Sequence, residues 1–328
     1  MKTILVIGSN SFTGAHYCRE CIKRGYNVIG ISRSAEPPIE FLPYKWDKKD
    51  IVFEQVNLNH DEEILKNIIN KYKPEYVVNF ASQGMVAQSW RTPEDWYQTN
   101  VVAQVKLHDI LRQTEGLEKY VHISTPEVYG SSEGKWQKEN ENYKPSTPYA
   151  VSRAACDLHL KSFLNAYNFP VVFTRAANVY GPGQQLYRIM PKAILCSLTG
   201  ARMQLHGGGK SKRSFVYIDD TVRATRLIME RANPGSIWHI STNEIISIKE
   251  LVMRIFKRTG GSFEKCVEVT DERLGKDDTY LLKTDKLRIE MEWKDECNLE
   301  AGIDKTIIWV RENLNSLIKM SWEYSHKK

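Results

Sequence analysis

Ile7-Gly8-Ser9-Asn10-Ser11-Phe12-Thr13-Gly14 decides how the chain is read. The octapeptide follows a β-branched run, Thr3 to Ile7, and opens an amphipathic stretch. Its spacing is G-x-x-G-x-x-G with Ser11 in the middle place. Gly8 permits a tight turn and Gly14 permits close packing of helix on sheet. Backbone N–H groups of Ser11, Phe12 and Thr13 at a helix start can hold a pyrophosphate. A strand–turn–helix at this place predicts dinucleotide binding.

Outward from the loop, short β-branched runs alternate with helical patterns. Strands are expected at 27–31, 51–56, 76–80, 120–124, 171–174 and 236–241. The runs TILVI, YVVNF and VVFT are apolar nearly throughout, as strands covered on both faces are. Helices are expected at 61–72, 93–113, 149–165, 248–258 and 305–313. The second begins Thr92-Pro93-Glu94-Asp95, with threonine as cap and proline in the first turn. Such alternation predicts an α/β fold, a Rossmann-like doubly wound parallel sheet. It occupies 1–177, with 213–242 returning to it. A smaller C-terminal substrate-binding lobe takes 178–212 and 243–328, over the edge where the strands end.

A dinucleotide with free ribose hydroxyls calls for an acid at the end of the second strand. Here Ser32-Arg33-Ser34 stands instead, and an arginine beside hydroxyls can receive a 2′-phosphate. The residues therefore favour NADP over NAD. Further along, Ser124-Thr125-Pro126-Glu127 closes a strand. Thr147-Pro148-Tyr149 then starts a helix that puts Tyr149 and Arg153 on one face. A guanidinium one turn from a phenol lowers the cost of the phenolate and makes the tyrosine a usable base.

Composition bounds the alternatives. The 328 residues are 41% hydrophobic and 26% charged, with net charge 46 − 40 = +6 and mean hydropathy −0.46. No apolar run is long enough to span a membrane, and no basic stripe interleaved with aromatics points to nucleic acid. The six cysteines are scattered. Cys18 and Cys21 form a lone C-x-x-C read as helix packing, so neither a metal site nor a disulfide framework is expected, and a reducing cytoplasm is implied.

With these motifs in order, the chain resembles the extended short-chain dehydrogenase/reductase superfamily, and most closely its nucleotide-sugar 4,6-dehydratase branch. The resemblance runs through the glycine loop, Phe80-Ala-Ser-Gln83, Ser89-Trp-Arg-Thr-Pro93, Asn100-Val101, Ser124 to Gly130, Pro148-Tyr149, Arg175 to Pro182 and Arg213 to Asp220. It implies a tightly bound NADP or NAD that also meets Asn57, Leu58, Ala81, Ser82, Gln83, Asn100, Ser124, Tyr149 and Arg153. It implies a nucleotide-diphosphate-sugar substrate whose C4 oxygen meets Thr125 and whose diphosphate meets Asn178 and Arg213. Tyr149 would act at C4 and Glu127 at C5. A homodimer through the helices bearing Trp96, Tyr97, Val101, Val105, Leu158, Leu160, Phe163 and Leu164 is implied as well.

Two positions depart from the branch. Arg153 stands where it carries lysine, and Pro126 where it carries the aspartate that protonates the departing C6 hydroxyl. The expected reaction is C4 oxidation, loss of water across C5 and C6, and reduction at C6. A 4-epimerase, a uronate decarboxylase and a catalytically silent dinucleotide-binding module stay open beside it.

Overall fold

A computed structural model describes residues 1–132, 134–271 and 280–327. Its centre is a seven-stranded parallel sheet: β1 (Thr3–Ile7), β2 (Asn27–Ser32), β3 (Val52–Gln55), β4 (Tyr76–Asn79), β5 (Lys119–Ile123), β6 (Val171–Ala176) and β7 (Ile237–Ile240). The spatial order is β7-β6-β5-β4-β1-β2-β3. β1 pairs with β2 on one side (Ile4↔Val28) and β4 on the other (Ile4↔Tyr76). The order reverses there, so the loops after β1 and β4 diverge and open a crevice.

Side chains alternate across a strand, and here both faces are covered. Ile4, Val6, Val78, Val121 and Val172 enter one core with α1 (Phe12–Lys23). Leu5, Ile7, Val77, Tyr120 and Val171 enter the other, under α2 (Glu62–Tyr72), α3 (Ala103–Arg112) and α4 (Pro148–Tyr167). This two-sided burial is why TILVI has no polar alternation. Cys18 and Cys21 are buried and unpaired in α1, as helix packing requires. α5 (Ile218–Arg231) packs on α1, and β7 returns to the sheet edge beside β6, Ile237 opposite Phe173.

Two details differ from the sequence reading. The helix expected at 93–113 is broken: Pro93–Tyr97 is α-helical, Gln98–Val102 is one π-turn, and only then does α3 begin. A π-turn adds a residue per turn, which turns Asn100 into the interior where it bonds to the Gln83 amide. Thr92 does not cap the helix through its side chain. Of the apolar residues that these helices carry on more than one face, Trp96 and Leu160 are fully buried.

Beyond β6 the chain makes short two-stranded pairs: Asn178–Tyr180 with Phe215–Tyr217, Lys212–Arg213 with Ile246–Ser247, and Met203–His206 with Val267–Thr270. These hang over the carboxyl ends of the strands. Among the described residues no helix is long and apolar enough to cross a membrane.

Candidate active site

The crevice is a cleft of about 1690 Å³ that runs from the glycine loop to the strand pairs of the C-terminal part. At one end Gly8 has φ +81°, and a Cβ there would meet the Ala81 nitrogen at 2.9 Å; one on Gly14 would meet the Gly8 carbonyl oxygen at 2.2 Å. Both positions need glycine for close backbone approach. Ser11 caps α1, its Oγ accepting from Gly14 N at 3.1 Å. The helix start lines the cleft through Ser11, Phe12 and Thr13, so its amides and positive end can face a pyrophosphate. Ser32, Arg33, Asn57, Leu58, Ala81, Ser82 and Gln83 also line it. These residues fit a nicotinamide dinucleotide.

Three neighbours of that end escaped the sequence reading. Asn10 N donates to Ser32 Oγ at 2.9 Å, tying the glycine loop to the end of β2. The C-terminal segment returns across the cleft: Arg33 Nη1 and Gln83 Nε2 both donate to the Lys327 carbonyl oxygen, the first at 2.9 Å. His326 stacks on Trp96, 5.0 Å between centroids, and meets Asp95 at 2.8 Å. No local pattern links residue 327 to residue 33.

At the other end, Thr125, Glu127 and Tyr149 come together. Thr125 Oγ1 donates to Glu127 Oε2 at 3.0 Å. Thr147 caps α4 through Ala150 N at 3.1 Å, and Tyr149 N donates to Ser89 Oγ at 3.2 Å, which fixes the first turn. Burial pushes the Tyr149 phenol up to about 12, with the Glu127 charge adding and Arg153 and the Thr125 hydrogen bond opposing. Asn178, Arg213 and Tyr280 line the same end. The Arg213 guanidinium stands 4.6 Å from the Tyr280 ring centroid.

Arg153 and Asn100 lie behind the cleft wall. Arg153 Nη2 donates to the Ile123 carbonyl and lies 3.2 Å from His122 Nε2, while Nη1 is buried with no hydrogen-bond partner among the described residues. Asn100 accepts from Gln83 N at 2.8 Å and donates to Ser152 Oγ at 2.9 Å. The long arginine side chain seats its head at the end of β5. Its charge still reaches Tyr149.

Beneath these groups is a buried polar network with no sequence signal. Asp157, fully buried, accepts from Ser124 Oγ at 2.9 Å and Arg175 Nη2 at 2.8 Å, and lies 3.3 Å from His122. Burial works against its charge, yet His122 and Arg175 hold its carboxyl below the usual range. Burial brings His122 down to about 4. His108, His122 and Cys156 also bring ligand-type atoms within 4.8 Å of one another. A cation there would face the Arg153 guanidinium, which opposes metal binding.

Residues 5–306 match the family model described as GDP-mannose 4,6 dehydratase. The dTDP-D-glucose 4,6-dehydratase of Bos taurus is 30% identical, with 96% of this chain and 90% of that protein covered. The crystal structure of the dTDP-glucose 4,6-dehydratase of Streptomyces venezuelae with NAD and TYD bound superposes with TM-score 0.88 at 26% identity, covering 96% of this chain and 98% of that one. The UDP-glucose 4-epimerase of Thermotoga maritima with UDP-glucose gives 0.86 at 27%, covering 95% and 99%.

Proposed function

Because the chain belongs to the GDP-mannose 4,6 dehydratase family, we propose that it is an NAD(P)-dependent nucleotide-sugar 4,6-dehydratase. One observation carries this reading beyond the family: Glu127, bonded through Thr125, lies at the Tyr149 end of the cleft. Oxidation at C4 needs a base at its hydroxyl, and Tyr149 serves there. The resulting 4-ketone acidifies the C5 proton, and Glu127 removes it. A 4-epimerase has no use for that second base.

Thr125 holds the C4 oxygen. Asn178 and Arg213 take the substrate's diphosphate, for which a guanidinium fork is suited. Gly8, Ser11, Phe12, Thr13 and Gly14 hold the cofactor pyrophosphate, and Ser32 and Arg33 its adenosine ribose. The nicotinamide ring, when bound, supplies the hydride acceptor and donor. Arg153 acts on Tyr149 through its charge, from behind. With Arg33 and no acid at the end of β2, the cofactor is NADP in preference to NAD, and Arg33 exchanges the Lys327 carbonyl for the 2′-phosphate.

The assembly is a homodimer. Exposed Tyr97, Val102, Val151, Leu158 and Tyr167 on α4 and the broken helix before α3 support it. Six free cysteines, all buried, fit a reducing cytoplasm.

A second reading, 4-epimerisation, is favoured by Pro126, whose side chain can neither donate nor accept a proton, and by the likeness to the UDP-glucose 4-epimerase fold. Product analysis separates the two. Incubation with dTDP-glucose, UDP-glucose and GDP-mannose gives products lighter by one water under the first reading. Products of unchanged mass with inverted C4 establish the second and refute the first.

A further inference from the structure

Elimination across C5 and C6 needs a proton for the departing hydroxyl, and Pro126 provides none. Arg213 carries a guanidinium and Asn178 an amide, so neither serves as the acid. The Thr125 hydroxyl is committed to the C4 oxygen and to Glu127. Two phenols in the cleft feel the Glu127 charge, Tyr149 and Tyr280. The first is committed to C4.

Tyr280 is 9% exposed and lines the cleft with Glu127, Tyr149 and Asn178. Its Oη donates to Asn178 Oδ1 at 3.1 Å, which orients the hydroxyl. Burial and the Glu127 charge push it up to about 12, so it enters the reaction protonated. Arg213, 4.6 Å from the ring centroid, opposes that rise and stabilises the phenolate once the proton has gone. A donor that is neutral beforehand and supported by a cation afterwards suits an acid.

We infer that Tyr280 is the general acid that protonates the C6 hydroxyl, in the role that Pro126 leaves open. The inference rests on the dehydratase reading. Glu127 takes the C5 proton, and the electron pair of that bond becomes the C5–C6 double bond. The C6–O bond breaks, its pair stays on oxygen, and the Tyr280 proton completes a water molecule. The Glu127 carboxyl exchanges its proton with solvent and then protonates C5 as C6 is reduced. Tyr149 ends the cycle with the C4 hydroxyl proton and Tyr280 ends it short of one, so transfer between them restores both. The two-electron change at C4 and C6 belongs to the nicotinamide dinucleotide.

The test compares two leaving groups. Wild type and Tyr280→Phe are given whichever of dTDP-glucose, UDP-glucose and GDP-mannose wild type dehydrates, and its 6-deoxy-6-fluoro analogue, whose fluoride departs with little need of an acid. Tyr280→Phe is expected to lower water loss by about 100-fold or more, the range of general acid catalysis. Fluoride release should stay within a few-fold of wild type, which also certifies a folded site. Undiminished water loss assigns the proton to Glu127 or a water and overturns the inference. An equal loss with both substrates reduces Tyr280 to packing and also overturns it. Should wild type remove water from none of the three sugars, the dehydratase reading falls first and the inference with it.

Discussion

Replacing Asp157 by asparagine removes the only anion among the described groups bonded to Arg175 and His122, and leaves charge uncompensated in the core. The carboxylate is fully buried and receives Arg175 at 2.8 Å and Ser124 at 2.9 Å. Breaking a buried pair by deleting one partner costs about 3–5 kcal/mol, because the other charge stays desolvated. For 328 residues the unfolding entropy is about 0.7 kcal/mol per kelvin, so the melting temperature should fall by about 4–7 °C. Calorimetry at pH 7 measures it. Asp157 is held below its usual range in the folded chain. Its contribution is therefore present above the unfolded carboxylate value and disappears as pH falls through the folded one. The gap between wild type and Asp157→Asn should accordingly narrow toward pH 3. A shift below about 1 °C at pH 7, or a gap that does not change with pH, would refute the assignment of that energy to the network.

The remaining predictions concern chemistry. Tyr149→Phe should reduce C4 oxidation by about 10²–10⁴-fold, read as the absence of reduced-nicotinamide absorbance on mixing with substrate; retained reduction removes Tyr149 from its role. Glu127→Gln should preserve that absorbance change and lose dehydration by a similar factor, with deuterium from solvent no longer entering C5. A base is active when deprotonated, and Tyr149 is held high by burial and then by Glu127, so the rate of C4 oxidation should climb with pH through neutrality. Glu127→Gln should move this limb to lower pH and Arg153→Met to higher pH; single-turnover profiles check both signs. Arg33→Ala should weaken NADP binding by about 10–100-fold, the worth of one charge-assisted hydrogen bond, and NAD binding by only a few-fold, as isothermal titration would record.

What the sequence by itself determined was set by neighbours along the chain. The turn at Gly8, the cap at Ser11, the cap at Thr147 and the pairing of Tyr149 with Arg153 on one helical face each involve residues within a few positions of one another. The strands from TILVI to VVFT were legible because burial on both faces leaves nearly every position apolar. Thr125, Glu127 and Tyr149 were legible through family motifs, and the fold brings them to one end of the cleft. Tertiary structure alone decided where Arg153 points, since the extra reach of a guanidinium matters only against His122 and the carbonyl of Ile123. It alone joined Asp157 to Arg175, and Tyr280 to Asn178 across 102 positions. The π-turn at 98–102 and the return of Lys327 to Arg33 belong to the same class. Such contacts leave no periodicity and no fixed spacing. They arise when separate elements exclude water from a shared volume, and a polar side chain there must bond to whatever the packing presents.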